Sequence, residues 1–301
     1  MLPLAAALAI GLPSAHAITL IHVKHLFDIT AGFNAPSDAA VSKDGRIYVL
    51  DGVNNAVKVF DYDGRWLFDF GEEGSGSAQF HLPLGIDIAP SGRVAVADSG
   101  NHRVQIFNAA GRFETEIKLP DNKGRAADPT DVVVDESENR CCVVDNDNHR
   151  ILVYDLATLK LTDIFGGPGT DNGEFRYPFL IAQGREKNLY IVDVINTRVQ
   201  VLDRNGAFLT NIGSWGVEKG QFYRPKGVAL DTSGRVYVSD SYIGVIQVFD
   251  PSGAFLGVVG DPGATVVKKF KTPVGIFVDH SDRLYVVEMF ANRVGVYSIL
   301  R

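Results

Sequence analysis

The chain has 301 residues, 46% of them apolar and 22% charged, with a formal net charge of −7. Such a composition suits one large soluble core or two ordinary ones and excludes a low-complexity or disordered chain. The acidic balance gives no general pull toward nucleic acid or anionic lipid, so neither is expected as a partner.

Residues 1–17, MLPLAAALAIGLPSAHA, form an apolar run that ends in Ala15-His16-Ala17, the small-x-small pattern cut by signal peptidase. This predicts a signal peptide over 1–17, export to the periplasm or beyond, and a mature domain over 18–301. No Lys or Arg precedes Ala17, so the basic n-region is missing and an uncut N-terminal anchor is the alternative. No other stretch approaches the ~20 continuous apolar residues that span a bilayer, so the mature chain is expected to have no membrane span.

Next in the chain is a strand-like segment, HVKHLFDIT at 22–30, and then a pattern that returns. A carboxylate closes an apolar run at Asp51, Asp98, Asp145, Asp193, Asp240 and Glu288, in steps of 47, 47, 48, 47 and 48. About five residues beyond each carboxylate a second apolar run begins, such as VQIF, ILVY or VQVL, so each repeat contains a hairpin of strands b and c. Pro36, Pro83, Pro129, Pro178, Pro225 and Pro273 open the repeats, each starting an inner strand a. A fourth strand, d, closes most of them in segments such as WLFDFG and FLTNIG, bounded by turns. The sixth repeat ends at Arg301 without a fourth strand, and residues 22–30 are the matching piece at the other end.

A strand supplied from the N-terminus would leave no half-paired edge. The predicted fold is therefore an all-β, six-bladed β-propeller with four antiparallel strands per blade, its last blade completed by the N-terminal strand. Cys141 and Cys142 are adjacent, too close for a relaxed disulfide, and are read as free thiols in strand b.

The segment FHLPLGIDIAPSGRVAVADSGNHRVQIFNAAGRF and its echo FYRPKGVALDTSGRVYVSDSYIGVIQVFDPSGAF resemble NHL repeats, and the resemblance covers residues 18–301. It implies a six-bladed propeller but does not imply a function, because one fold hosts many.

The repeat also reinterprets its most enzyme-like stretch. ADSGNHRVQIF places Asp98, His102 and Arg103 within six positions, yet Asp145, His149 and Arg150 recur in the same places. The Asp and Arg are expected to clasp a hairpin, and the two His to be solvated turn residues.

Metal chemistry finds little purchase. DNDNHR opens like a calcium loop but has Arg150 where that loop needs Gly and Leu156 where it needs a bidentate carboxylate. Relatives of the fold include an amidating lyase whose zinc is held by histidines just after the inner-strand Pro. The matching positions here are Ser37, Leu84, Thr130, Phe179, Lys226 and Val274. Lactonase relatives gather carboxylates and amides in the channel, where this chain offers Asp38, Asp87 and Asp131. No cofactor is predicted, calcium or zinc at those three carboxylates stays open, and no catalytic residue is assigned. A divergent metal-dependent lyase or hydrolase is the alternative function.

The leading reading is a monomeric binding scaffold. The loop into strand a and the b-to-c loop should share one face. On the first three repeats the b-to-c loops read GVNN, SGNH and NDNH, and on the last three VINT, SYIG and MFAN. Arg176, Tyr177, Tyr223, Arg224, Lys226, Tyr242, Lys271, Met289 and Phe290 are the candidate contacts, for an unknown protein or an anionic ligand.

Overall fold

A computed structural model describes residues 18–301; the expected signal segment, 1–17, lies outside them. The chain is an all-β, propeller-like stack of antiparallel four-strand sheets. The first four repeats each form one four-stranded sheet, and the fifth and sixth join the N-terminal strand in a sheet of eight. A two-stranded parallel pair, Glu72–Glu73 with Gln79–Phe80, is an addition that the repeat pattern does not announce. Among the described residues no helix is long and apolar enough to cross a membrane.

Within a repeat the order is the chain order, as in Pro83–Ile88, Val94–Asp98, Arg103–Phe107 and Phe113–Lys118. Strand b is buried along nearly its whole length and strand c along most of it, and both accordingly read as largely apolar runs rather than as an alternation. Strand d is more exposed, as Trp66–Phe70 and Leu161–Gly166 show, and its composition is mixed.

The N-terminal strand, Leu20–Ile29, begins two residues before the segment read from sequence. It runs antiparallel to Arg293–Ile299, pairing Val23 with Ile299 and Ile29 with Val294. Its first residues also pair in parallel with Phe255–Gly260, Leu20 opposite Val258. One strand thus completes the sixth repeat's sheet and welds it to the fifth.

Apolar clusters fill the spaces between neighbouring sheets. Tyr48, Leu50 and Val57 of the first repeat meet Ile86, Val96 and Phe107 of the second. Val49 and Phe60 of the first also pack with Tyr285, Val287 and Val294 of the sixth, so the last repeat is packed on the first. Phe80, Phe175 and Phe222, three residues before their prolines, are fully buried packing groups. Cys141 and Cys142 are buried and free, filling strand positions as expected. Burial pushes both thiols up, which leaves them inert as nucleophiles.

Candidate functional site

The face that carries the b-to-c hairpins is built around the recurrent carboxylate. Asp98 is wholly buried and accepts four hydrogen-bond partners. The His81 amide donates to it at 2.8 Å, Asn101 at 2.9 Å, Arg103 Nε at 2.8 Å and Gln105 at 3.2 Å. Asp51, Asp145, Asp193 and Glu288 likewise accept the amide of the residue 17 positions earlier, in the loop before strand a. Arg150, Arg198 and Arg293 close the same clasp on their carboxylates at 2.6–2.9 Å. The carboxylate therefore ties together the two loops of one face.

Four residues after each carboxylate the hairpin needs a left-handed backbone, a conformation that Asn and Gly accept readily. Asn55, His102, His149, Thr197, Gly244 and Asn292 stand there with φ between 51° and 73°. Several of them reach the next repeat. Asn55 accepts the Leu82 amide at 2.8 Å, and Asn292 accepts the Ala35 amide at 3.0 Å, which links the sixth repeat to the first. His102 donates its Nδ1–H to the Ala127 carbonyl at 2.6 Å, whereas His149 Nδ1 accepts the Tyr177 amide at 3.0 Å. The two histidines are thus turn residues, His102 exposed and His149 half-buried, that also staple neighbouring repeats in opposite tautomers. Burial, then Arg125, lowers the pKa of His149 and favours the neutral ring that this acceptor role requires.

The staple lapses at two places. The Thr197 hydroxyl donates to its own neighbour, the Asn196 carbonyl, and Gly244 has no side chain. The fifth repeat departs further, because Ile243 and Val245 replace the Asn and Arg of the clasp. Asp240 is held instead by the backbone amides of Tyr223, Arg224, Tyr242 and Ile243.

In the space this leaves, Tyr223 and Tyr242 stack with centroids 4.3 Å apart and planes at 30°. They are 43% and 67% exposed. The Arg224 side chain between them in sequence is exposed, as are those of Arg176 and Lys271. Lys226 is partly buried, its Nζ 3.8 Å above the Phe179 ring. Tyr177 lies edge-on to His149 at 4.6 Å. Phe290 is 65% exposed, but Met289 turns inward against the core of the first and sixth repeats and is not a loop-tip group. The contrast with the first repeats is one of aromatic character, since Val53 and Leu82 are themselves 47% and 49% exposed.

The channel end of the inner strands encloses a cavity of about 290 Å³ lined by Asp38, Asp87, Asp131, Gln183 and Phe277 among others. Each carboxylate grips the next inner strand: Asp38 accepts the Ile86 amide, Asp87 that of Val134, and Asp131 that of Ile181. Gly85 and Gly275 permit this approach, for a Cβ there would lie 2.4 Å from Asp131 Oδ1 or 2.3 Å from Asp38 Oδ1. Burial pushes Asp38 up to about 7 and Asp87 to about 6. Asp131 is also pushed well up, by burial and then by the charge of Asp38. Among the described residues no group of three His, Cys, Asp or Glu side chains is placed to hold a metal ion. Each of these carboxylates bridges strands.

The pattern read from sequence missed Gln105, Gln200 and Gln247, buried in strand c. Each donates its side-chain amide to a carbonyl of its own repeat's loop before strand a, Gln79, Glu174 and Gln221, and accepts an amide from the same loop. The available signal was one Gln at the same place in three apolar runs.

Fold and repeat chemistry together define a propeller-like, all-β repeat protein. The NHL repeat model matches residues 33–60, 80–107, 127–154 and 222–249, and the chain is an NHL-repeat protein. No curated protein matches it. Among solved structures it is similar to a streptogramin B lyase, at 13% identity and a TM-score of 0.66, over 92% of this chain and 98% of that one. It is also similar to a catalytically inactive virginiamycin B lyase from Staphylococcus aureus with quinupristin, at 16% identity and a TM-score of 0.64, over 90% and 82%. A protein of unknown function from Bacteroides thetaiotaomicron superposes at 18% identity and a TM-score of 0.68, over 94% and 75%. At such identities the likeness is one of fold.

Proposed function

We propose that this chain is an exported, non-enzymatic, six-bladed propeller that binds a protein or an anionic ligand through the hairpin face of its fourth to sixth repeats. The observation that carries this reading is the exposed Tyr223–Tyr242 stack beside Arg224. Elsewhere this face spends its hairpin side chains on clasps and staples, whereas here backbone amides hold Asp240 and free the side chains for contact. Stacked tyrosines offer large rigid area at small entropic cost, and an adjacent Arg adds directional donors. The six-blade count is supported by the six-fold series of prolines and carboxylates and by the packing of the last repeat on the first.

The test is capture from an envelope extract by the parent, by a Tyr223→Ser, Tyr242→Ser, Phe290→Ser variant, and by a Val53→Ser, Leu82→Ser, Asp147→Asn variant. Loss of partners in the first variant alone supports the reading, and equal capture by all three folded proteins overturns it. A second reading, a metal-dependent lyase, draws on the similarity to the streptogramin B and virginiamycin B lyases. Stoichiometric zinc or calcium that survives dialysis would favour that second reading.

A further inference from the structure

The six residues that directly follow the inner-strand prolines are Ser37, Leu84, Thr130, Phe179, Lys226 and Val274. Two of the three polar ones are satisfied within the fold, since Ser37 donates to the Pro83 carbonyl and Thr130 to that of Phe179. Lys226 is the exception. It is the charged residue of the series, it is partly buried, and its ammonium rests on the Phe179 ring. Among the described residues no carboxylate or hydrogen-bond acceptor meets its Nζ.

Its surroundings sharpen the demand for an anion. Arg224 is the charged group that acts on it, and Arg224 is itself exposed, with no partner for its guanidinium among the described residues. The acid of this repeat's clasp, Asp240, is fully buried and already occupied by four backbone amides. Two cations thus flank Pro225, Lys226 over the ring of Phe179 and Arg224 next in sequence to the exposed Tyr223. A partly desolvated ammonium without a partner is costly, and an incoming oxyanion would relieve that cost. The Phe179 ring under the ammonium and the exposed Tyr223 beside Arg224 favour an oxyanion carried on a flat apolar body.

We propose that Lys226 and Arg224 form a binding site for a small aromatic or apolar carboxylate at the inner-strand end of the fifth repeat. The site deepens the reading of this face as a ligand surface and rests on it. Burial, then Arg224, lowers the Lys226 ammonium to about 8, so the free site holds its charge at neutral pH and loses it in mild alkali. A bound carboxylate favours the ammonium and raises that value again. Affinity is therefore full below pH 8 and falls as pH rises beyond it.

The experiment is calorimetric titration of the full chain with benzoate at pH 7 and pH 9.5, with benzyl alcohol and inorganic phosphate as comparison probes. Benzoate is expected to bind the parent at pH 7 and to bind at least roughly tenfold more weakly at pH 9.5, with Lys226→Gln equally weakened at pH 7. Lys226→Arg should retain binding and lose the pH dependence below pH 10, while Arg65→Gln, an exposed cation on another loop, should behave as the parent. Failure of the parent to bind benzoate, undiminished binding by a folded Lys226→Gln, or equal affinity for benzyl alcohol would overturn the proposal. Phosphate bound as tightly as benzoate would overturn the choice of an apolar carboxylate. Since Lys226 is not among the residues changed in the capture experiment, the two readings fail separately.

Discussion

The hairpins of the third and fifth repeats use the same buried aspartate in different ways. Asp145 is gripped by side chains, Asn148 at 3.0 Å and Arg150 at 2.8 Å, and His149 beside it staples the following repeat. Asp240 is gripped by backbone amides alone, and Gly244 in the place of the histidine reaches the next repeat only through its backbone, its carbonyl accepting the Phe270 amide at 2.9 Å. The carboxylate is what the architecture needs, because in every repeat it satisfies the loop amide 17 positions before it. The side chains around it are needed only while nothing else holds it. Once the backbone does, Tyr242 is free to leave the turn and stack on Tyr223.

The comparison can be broken at several depths. Removing residues 18–29 strips a strand that pairs on both sides, and the expected outcome is loss of a cooperative thermal transition, followed by circular dichroism. Asp98→Ala should cost about 3 kcal/mol or more in denaturant titration, because it leaves the buried Arg103 charge without its main partner. Asp240→Ala removes an acceptor from neutral amides only and should cost about 2 kcal/mol. A larger loss at Asp240 than at Asp98 would break the contrast.

Asp38 supplies a pH test away from the face. Its carboxyl is raised by burial to about 7 in the folded chain, so its contribution is full below the ordinary carboxylate range and is lost as pH climbs through 7. Asp38→Asn keeps an acceptor for the Ile86 amide and removes the titration. Between pH 4 and 7.5 the parent should lose about 2 kcal/mol more stability than this variant. Smaller effects belong to the staples. His149→Ala should cost about 1 kcal/mol by freeing the Tyr177 amide. Thr197→Asn, which replaces a β-branched residue at φ 53° with one that suits it, should stabilise by about 0.5 kcal/mol.

Much of the fold was legible because its period is written twice, in the prolines and in the carboxylates, and strand registers follow from the apolar runs between them. The Asp and Arg clasp was legible for the same reason. What escaped was whatever depends on the neighbouring repeat. His102 and His149 look like turn residues within their own hairpins, and their partners, Ala127 and Tyr177, lie 25 and 28 residues away in the loops that lead into the next repeats. Buried Gln247 is hidden in an apolar run, because its partners are loop backbone rather than side chains. The candidate face was visible as a change in hairpin composition, but the turning inward of Met289 and the stacking of Tyr223 on Tyr242 depend on packing that composition does not encode.

The central claim, that the hairpin face of the later repeats carries the binding, is tested most directly by hydroxyl-radical footprinting of the full chain with and without its captured partner. The account predicts protection at Tyr223, Tyr242 and Phe290, with Trp66 on the outer strand of the first repeat unchanged. Protection at Trp66 or Val53 with Tyr242 and Phe290 still fully oxidised would contradict it.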